Sequence, residues 1–308
     1  MPAMAQQGVV HGVATGQHPV PRGWSARTSG GPKAMADMTQ SAPERFDADP
    51  SAYADYLHTP LGRLRSELSW RTLEAHLPRS GPSTPRALDL GGGTGETAVR
   101  LAEKGWLVTL VDGSPGMIER AAGLARSRGL GERIACRTLD VDAGGLAQAL
   151  GEGTYQLVVC HDLLEYVASP EALLREASAA LATAGRLSLL VRGLAGEAMK
   201  RLLRGVGQET VLGLLATRRV REDLYGLDVR LFDPDEIRGL LSSAGLEVVA
   251  ERGVRVVADH LGDWAGAGEG AVDRMLELER RLGETKELLA VARYIQTIAE
   301  RGQGSAAP

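Results

Sequence analysis

Short apolar runs alternate with amphipathic helical patterns through the middle of the chain. The apolar runs predict buried strands, and segments with apolar residues three and four positions apart predict helices. The predicted strands are Ala87–Leu90, Leu107–Val111, Arg133–Leu139, Tyr155–Cys160 and Arg186–Val191. The predicted helices are Thr94–Lys104, Pro115–Arg128, Pro170–Leu181 and Asp235–Ala244. This alternation predicts an α/β fold, a doubly wound and mostly parallel seven-stranded sheet with helices on both faces.

The segments on either side of this alternation add further elements. "SAYADYLHTPLGRLRSELSWRTLEAHLP" places its leucines near one face and predicts an N-terminal helical segment. Residues 193–231 are helical in pattern and rich in arginine, and we predict a helical insertion at the substrate side of the sheet. "GLEVVAERGVRVVADHL" predicts a further strand region. "TKELLAVARYIQTIAERG" is compatible with a helix or, over Tyr294–Ile298, with a last strand.

Composition sets the domain boundaries and the compartment. Residues 1–43 have no sustained period and are rich in Gly, Pro, Ser, Gln and Ala, so we predict a disordered extension, one domain over 44–301 and a flexible tail over 302–308. The net charge of −4 argues against a globally basic nucleic-acid binder but leaves room for a local basic patch. We expect no membrane span or secretory signal, and a cytoplasmic protein. Cys136 and Cys160 have no partners at metal-ligand spacing, so we expect no metal site.

A glycine-rich turn follows the first predicted strand, in "ALDLGGGTGETAVRLAEKGWLVTLVDGSPGMIERA". Such a turn faces the ligand crevice of a doubly wound sheet, where it binds either a dinucleotide or S-adenosylmethionine. The pattern GxGxxG fails when it is counted from Gly91 and survives weakly from Gly93. Asp89, just before the glycines, would repel a pyrophosphate and attract an ammonium group. Asp112, at the end of the second strand, can bind the hydroxyls of an adenosine ribose in either cofactor.

The next two strand ends supply further candidates. The third strand ends at Thr138, Leu139 and Asp140, which would meet the edge of an adenine ring. The fourth ends at His161 and Asp162. His161 is the histidine that we predict as catalytic, although a purely structural role is equally compatible with the sequence.

Together these residues resemble the class I S-adenosylmethionine-dependent methyltransferases. The resemblance rests on the acidic residues and strand ends in "LDLGGGTG", "LVTLVDGSPGMIERA", "LVVCHDLLEYVASP" and "LLREASAALATAGRLSLLV". Outside this core, "TPLGRLRSELSWRTL", "GVRVVADHL" and "VARYIQTIA" are similar to the bacterial tRNA 5-carboxymethoxyuridine methyltransferases. The resemblance implies a Rossmann-like methyltransferase fold and S-adenosyl-L-methionine as cofactor.

The resemblance also implies residue roles. Arg65 would reach the methionine carboxylate of the cofactor, and His161 would lie near the cofactor. The residues that would line the rest of the cofactor site are Asp89, Gly91, Gly92, Gly93, Asp112, Thr138, Leu139 and Asp140.

The methyl acceptor is open on sequence alone. The implied substrate is a tRNA carboxylate, and the alternative is a small molecule methylated on oxygen or nitrogen, with residues 193–231 closing over it. A carboxylate acceptor needs a cation to orient it. The candidate cations are Arg192, Arg201, Arg230 and Arg255, and Arg218 and Arg219 would belong to a basic rim that contacts phosphates. Tyr53, Tyr56 and Tyr166 would shape the acceptor pocket.

Overall fold

The computed structural model describes residues 41–78, 83–150 and 154–302. The strands are β1 Arg86–Leu90, β2 Leu107–Asp112, β3 Ile134–Thr138, β4 Tyr155–His161, β5 Leu181–Arg192, β6 Arg219–Arg221, β7 Asp228–Arg230, β8 Leu246–Val254 and β9 Tyr294–Arg301. The helices are α1 Ala42–Ala48, α2 Pro50–His58, α3 Pro60–Ala75, α4 Glu96–Glu103, α5 Pro115–Ser127, α6 Leu146–Leu150, α7 Pro170–Ala180, α8 Leu194–Leu203, α9 Gln208–Thr217, α10 Pro234–Ser243 and α11 Ala271–Glu284. Two 3₁₀ turns cover Val141–Ala143 and Lys286–Val291.

Seven strands form one sheet in the order β3-β2-β1-β4-β5-β9-β8. The pairs from β3 to β5 are parallel, and β9 runs antiparallel to both of its neighbours. The order reverses between β1 and β4, which places a crevice at their carboxyl ends. The predicted doubly wound, mostly parallel seven-stranded sheet is therefore confirmed.

The ambiguous segment near the C-terminus is a 3₁₀ turn followed by strand β9. Its first six residues, from Tyr294 to Ala299, are all buried, so the strand shows no apolar–polar alternation. It lies between β5 and β8, and its register places Tyr294 beside Arg192 and Gln296 beside Leu190. This position brings the start of β9 to the edge of the sheet where the parallel strands end.

Three helices form the predicted N-terminal segment. Their caps are Ser41, Asp49 and Thr59, and each cap side chain accepts a backbone N–H from the first turn of its helix. Helix α3 packs Leu64 and Leu68 onto the sheet beside Tyr294. Helix α1 begins at Ala42, so the predicted extension to residue 43 overlaps it by two residues, because Ser41 and Glu44 form a capping box. Residues 1–40 of that extension and 303–308 of the predicted tail lie outside the described residues.

The insertion over 193–231 is only partly helical, which corrects the prediction. Helices α8 and α9 are followed by an antiparallel hairpin of β6 and β7, in which buried Val220 pairs with buried Val229. Helix α9 ends at Arg218, whose φ of 55° turns the chain out of the helix. The arginine-rich stretch after it alternates between polar and β-branched residues, which favours a strand.

The predicted strand region over 245–261 ends early, at Val254. Arg255 has a φ of 60°, which breaks the strand. The backbone N–H groups of Val256, Val257 and Ala258 all donate to the buried carboxylate of Glu279 on α11. This carboxylate shapes the loop after β8 and fixes the position of Arg255.

Candidate functional site

The glycine turn lies at the crevice between β1 and β4, as predicted. Gly91 and Gly93 have φ values of 62° and 54°, which a side chain would strain. A Cβ at Gly92 would lie 2.5 Å from the Leu110 side chain and 3.0 Å from Oδ2 of Asp89, so only glycine fits there. Side chains also lie close to the other two glycines, because a Cβ at Gly91 would lie 2.9 Å from Leu163 and one at Gly93 would lie 3.5 Å from Tyr53.

Asp89 lies directly beneath the turn. It is 3% exposed, and its Oδ2 atom has no hydrogen-bond partner among the described residues. Burial, together with the negative charges of Asp112 and Glu96, raises the pKa of Asp89 to about 7. An unpaired buried carboxylate of this kind would be stabilised by a cation and destabilised by a phosphate.

Asp112 ends β2 beside the same turn. Its carboxylate accepts hydrogen bonds from the backbone N–H of Gly93, at 3.0 Å, and of Ser114, at 2.9 Å. Burial raises the pKa of Asp112 above 3.8, against the opposing effect of these two bonds. The hydroxyl of Ser114 caps α5 by accepting the N–H of Met117, so Asp112 is left to bind a ligand with its remaining lone pairs.

The predicted adenine-edge residues lie beside Asp112. Thr138 ends β3, and the N–H of Leu139 donates to the Asp112 carbonyl at 3.0 Å. Asp140 accepts the N–H of Asp142 and begins a 3₁₀ turn. The side chain of Leu139 is partly buried against the main core, whereas Thr138 and Asp140 are exposed. Leu139 is thus the apolar member of the three that a flat ring could pack against.

Helices α1 and α2 lie over the turn and over the start of α5. The Tyr53 ring is 3.5 Å from where a Cβ of Gly93 would be. Asp47 accepts hydrogen bonds from the Ser114 hydroxyl, at 3.1 Å, and from the Gly116 N–H, at 2.7 Å. The Phe46 ring packs edge-on against Tyr166 and Tyr225, with centroids 5.2 and 4.6 Å apart. These contacts join the N-terminal segment to both the cofactor end of the sheet and the insertion.

Arg65 on α3 points inward and is 4% exposed. Its guanidinium forms an ion pair with Asp162 and donates to the Tyr53 hydroxyl at 2.9 Å. Asp162 follows β4 with a φ of 52°, and its Oδ1 atom has no partner among the described residues. Strained backbone that aims an unsatisfied carboxylate at a crevice is typical of a functional site. The resemblance assigns Arg65 to the methionine carboxylate of the cofactor, and in this structure the partner of Arg65 is the carboxylate of Asp162.

A cluster of arginines surrounds Tyr294 at the start of β9. Four guanidinium groups lie 5.4–5.9 Å from the centroid of its ring. They belong to Arg65, Arg192, Arg255 and Arg293. Burial alone would raise the pKa of the Tyr294 hydroxyl, but the arginine charges outweigh burial and lower it. This arginine cluster forms a positively charged region beside the acidic glycine turn.

Arg192 differs from the other members of the arginine cluster. Arg65, Arg255 and Arg293 form ion pairs with Asp162, Asp259 and Glu197 respectively. Among the described residues, no carboxylate lies within ion-pair distance of the Arg192 guanidinium, and its Nε has no hydrogen-bond partner.

The carboxyl group of Glu165 contacts the backbone of Arg192. Its Oε1 accepts the Arg192 N–H at 2.7 Å. Burial, followed by the charge of Asp162, raises the pKa of Glu165 to about 8, against the opposing charge of Arg192. Burial therefore disfavours the charged form of Glu165, and its contact with Arg192 is to the backbone N–H and not to the guanidinium.

His161 ends β4 next to Asp162. Its Nε2 lies 2.8 Å from the hydroxyl of Ser188 on β5. Burial lowers the pKa of His161 from 6.5 to about 4, an effect that Asp162 opposes and Arg65 reinforces. The imidazole is therefore neutral at physiological pH. The predicted site residues at the ends of β1, β2 and β4 and on α3 thus come together at one edge of the sheet.

The other arginine candidates are already paired with carboxylates. Arg201 bonds to Glu197, Arg230 and Arg218 to Glu236, and Arg219 to Asp228. The predicted basic rim is therefore largely neutralised at these positions. Among the described residues, no helix is long and apolar enough to cross a membrane, and no group of side chains could hold a metal ion.

Several residues of the site gave no clear sequence signal. Tyr294 and Arg293 contribute charge or packing, and Asp47 accepts the Gly116 N–H in the first turn of α5, beside the Ser114 cap. Asp47 could have been recognised only from its contacts, because it lies far from α5 in the sequence. The motif "VARYI" contributed to the resemblance, but no rule of residue spacing assigns a role to its arginine or its tyrosine.

Comparison with known proteins identifies the family. A family model described as a methyltransferase domain matches residues 53–251. The tRNA 5-carboxymethoxyuridine methyltransferase of Escherichia coli K12 is 32% identical over 248 residues, which cover 80% of this chain and 91% of the relative. The ubiquinone biosynthesis O-methyltransferase of Bordetella parapertussis is 32% identical over 56% of this chain and 66% of the relative.

A solved structure confirms the architecture. The geranyl diphosphate C-methyltransferase of Streptomyces coelicolor A3(2) superposes with a TM-score of 0.53 at 19% identity, over 78% of this chain and 79% of that one. This likeness concerns the fold alone. The family match and the length of the similarity to the E. coli protein decide the activity. The chain belongs to the methyltransferase-domain family and is an S-adenosylmethionine-dependent methyltransferase.

Proposed function

We propose that this enzyme esterifies the carboxylate of 5-carboxymethoxyuridine in tRNA. Similarity to the E. coli tRNA enzyme over 91% of that protein's length supports this substrate. The structural observation that carries the proposal is Arg192, a largely buried guanidinium without a carboxylate partner among the described residues. A buried cation that no protein anion neutralises is suited to an anionic acceptor.

The residues at the glycine turn fit the cofactor. Asp89 and Asp162 each have a buried oxygen without a partner, and a cationic ligand would satisfy both, whereas a pyrophosphate would not. Asp112 would accept the ribose hydroxyls, and Arg65 would hold the methionine carboxylate in exchange for its present bond to Asp162. When bound, the cofactor supplies a methyl group that is already activated by a sulfonium. The residues assigned to the glycine turn and the adenine edge are Gly91, Gly92, Gly93, Thr138, Leu139 and Asp140.

The chain's own part in the reaction is to position the acceptor and exclude water. A carboxylate is a nucleophile at neutral pH, so no group has to remove a proton from it. Arg192 would fix the carboxylate with charge-assisted hydrogen bonds, while Tyr53, Tyr56 and Tyr166 would enclose it. A carboxylate oxygen forms the new bond to the methyl carbon, and the electrons of the breaking carbon–sulfur bond remain on sulfur. This reaction transfers no proton, so it requires no general base and is compatible with a neutral His161 that does not act as one.

The experiment uses the intact protein, cofactor with a labelled methyl group, and tRNA that carries 5-carboxymethoxyuridine. We expect label in the RNA that is released by mild base, since esters hydrolyse and other methyl groups do not. The control substrate is the same tRNA without the carboxymethoxy group. Absence of base-labile label would reject the tRNA acceptor and favour a small-molecule acceptor.

Salt dependence provides a second measure of the same assay. Each phosphate that the protein neutralises releases counterions, so the KM for tRNA should rise with salt, by less than it would for an unpaired basic rim because Arg218 and Arg219 already contact carboxylates. A small acceptor would show little change. We place this reaction in the cytoplasm, where tRNA is modified and where free thiols such as Cys136 and Cys160 persist.

A further inference from the structure

A chain of buried polar groups links α3 to His161. The side-chain nitrogen of Gln296 on β9 donates to the Ser69 carbonyl at 3.0 Å and to the Ser188 hydroxyl at 3.2 Å. That hydroxyl lies 2.8 Å from Nε2 of His161. Ser188 and Gln296 are completely buried within the sheet. The hydroxyl of Ser69 donates to the Arg65 carbonyl, so the same chain reaches the helix turn that presents Arg65.

The direction of each hydrogen bond in this chain is fixed. A backbone carbonyl only accepts, so the Gln296 atom beside Ser69 must be the amide nitrogen. The same nitrogen donates to Ser188, whose hydroxyl therefore accepts from Gln296. Among the described residues, the remaining partner of that hydroxyl is Nε2 of His161. If Nε2 also carried a hydrogen, the buried hydroxyl proton of Ser188 would have no acceptor, which is costly.

We infer that Ser188 and Gln296 are positioning residues that hold His161 in the tautomer with hydrogen on Nδ1. In this tautomer Nε2 is occupied as an acceptor inside the sheet. Among the described residues Nδ1 has no hydrogen-bond partner, so its N–H is the group that the ring can offer to a ligand. His161 then acts as a hydrogen-bond donor and not as a general base.

This tautomer limits which chemical groups can accept the methyl group, an inference that rests on the proposed function. The lone pair on Nε2, with which His161 would take up a proton as a base, accepts the hydrogen bond of the Ser188 hydroxyl. The low pKa of His161 keeps the ring neutral. An alcohol, phenol or ammonium acceptor would therefore find no base at this position. A carboxylate requires none, and an N–H donor can stabilise its orientation. The predicted catalytic role of His161 becomes that of a donor to an anionic oxygen.

The test observes the tautomer directly. Nitrogen NMR of the full chain labelled with ¹⁵N-histidine distinguishes a protonated from an unprotonated ring nitrogen, and the His161→Gln variant assigns the signals. We expect hydrogen on Nδ1 and a lone pair on Nε2 in the wild-type protein near pH 7. Ser188→Ala should allow the other tautomer to be populated and should lower kcat/KM about threefold to tenfold, the effect of one lost hydrogen bond.

The matched control is Thr297→Val, which changes another fully buried hydroxyl on the same strand as Gln296. This variant should keep both the tautomer and the activity. Gln296→Met offers a second variant of similar volume, which should also release the tautomer if Ser188→Ala unfolds. Hydrogen on Nε2 in the wild-type protein, or an unchanged tautomer in both Ser188→Ala and Gln296→Met, would overturn the inference. The NMR result does not depend on the acceptor, so a failure of the tRNA assay would leave it intact.

Discussion

The ends of β1 and β2 and the ends of β5 and β8 lie along one edge of the same sheet but carry opposite charge. Asp89 and Asp112 occupy the first pair, and Arg192 and Arg255 occupy or follow the second. Among the residues that the structure describes, the acidic half has a buried carboxylate oxygen without a partner beneath the glycine turn, and the basic half has a guanidinium without a carboxylate partner beside Tyr294. Each half can therefore bind a ligand group of the opposite charge.

This division of charge suits an enzyme that holds a cationic methyl donor together with the anionic acceptor proposed above. Arg65 and Asp162 form the ion pair at the border between the two halves. The following changes test the two halves separately.

The largest effect is expected from neutralising Asp89. Its pKa is about 7 in the folded chain and about 3.8 when unfolded. As pH rises from about 4 to 7, the unfolded chain loses this proton first, so the free energy of unfolding falls, by on the order of 4 kcal/mol for this group. Asp89→Asn should remove that fall and be more stable than wild type at pH 8. Urea unfolding at pH 5 and pH 8 measures the change in the free energy of unfolding with pH for wild type and for Asp89→Asn. The control is Asp273→Asn, at an exposed carboxylate. Parallel pH dependence in wild type and Asp89→Asn would contradict the assignment.

Removing the unpaired cation should impair turnover. Arg192→Ala should lower kcat/KM for modified tRNA by roughly 30- to 100-fold, equivalent to about 2–3 kcal/mol, because a charge-assisted contact to the acceptor is lost. Cofactor affinity should change by less than about twofold. Arg230→Ala removes an arginine that is already paired with Glu236 and serves as the matched control. Equal losses in both variants would mean that Arg192 is not special.

On the acidic side, Asp112→Ala should weaken cofactor binding about tenfold. The variant loses the acceptor for the ribose and also the acceptor that orders the backbone of Gly93. Calorimetric titration with S-adenosylhomocysteine measures the change, and thermal unfolding checks that the fold persists. The control is Asp235→Ala, which changes an exposed carboxylate on α10 and should leave the affinity unchanged. Unchanged affinity in folded Asp112→Ala would restrict this residue to a structural role.

The smallest effect is expected at Asp47, which joins α1 to the start of α5. Asp47→Ala removes two hydrogen bonds to that helix start and should cost about 1 kcal/mol, seen as roughly fivefold faster release of S-adenosylhomocysteine. Asp55→Ala changes an exposed carboxylate on the adjoining helix and is the control. Stopped-flow dissociation compares the two. If they release the ligand equally fast, α1 does not help to retain it.

The acidic half of the site was predictable from sequence, whereas most of the basic half was not. Asp89 lies near the end of β1 and Asp112 ends β2, and these two consecutive strands are also neighbours in the sheet, so their position could be inferred from local patterns. Tyr294 lies more than 200 residues from Arg65, on a strand inserted antiparallel between β5 and β8. A fully buried strand shows no alternation, and the periodicity of "VARYIQTIA" could not separate it from a helix.

The pairing state of the arginines also required the structure. Arg192, Arg201, Arg230 and Arg255 looked equivalent as candidates in the sequence. Arg201, Arg230 and Arg255 lie four to six positions from Glu197, Glu236 and Asp259, a spacing that permits an ion pair but does not establish one. The structure shows that these three pairs form and that, among the described residues, Arg192 has no carboxylate partner. The hairpin of the insertion was missed for a related reason, since its strands are three residues each and too short to set a period.

The N-terminal helices have a consequence for the timing of the catalytic cycle. Neither α1 nor α2 contains a fully buried residue, although both are fastened over the glycine turn at a few points. A segment with so little buried surface opens at a small fraction of the free energy of global unfolding, so its amide hydrogens should exchange long before those of the sheet. The spent cofactor can then leave through this opening while the rest of the enzyme stays folded. We expect the rate of turnover to be limited by the opening of helices α1 and α2, and not by the transfer of the methyl group.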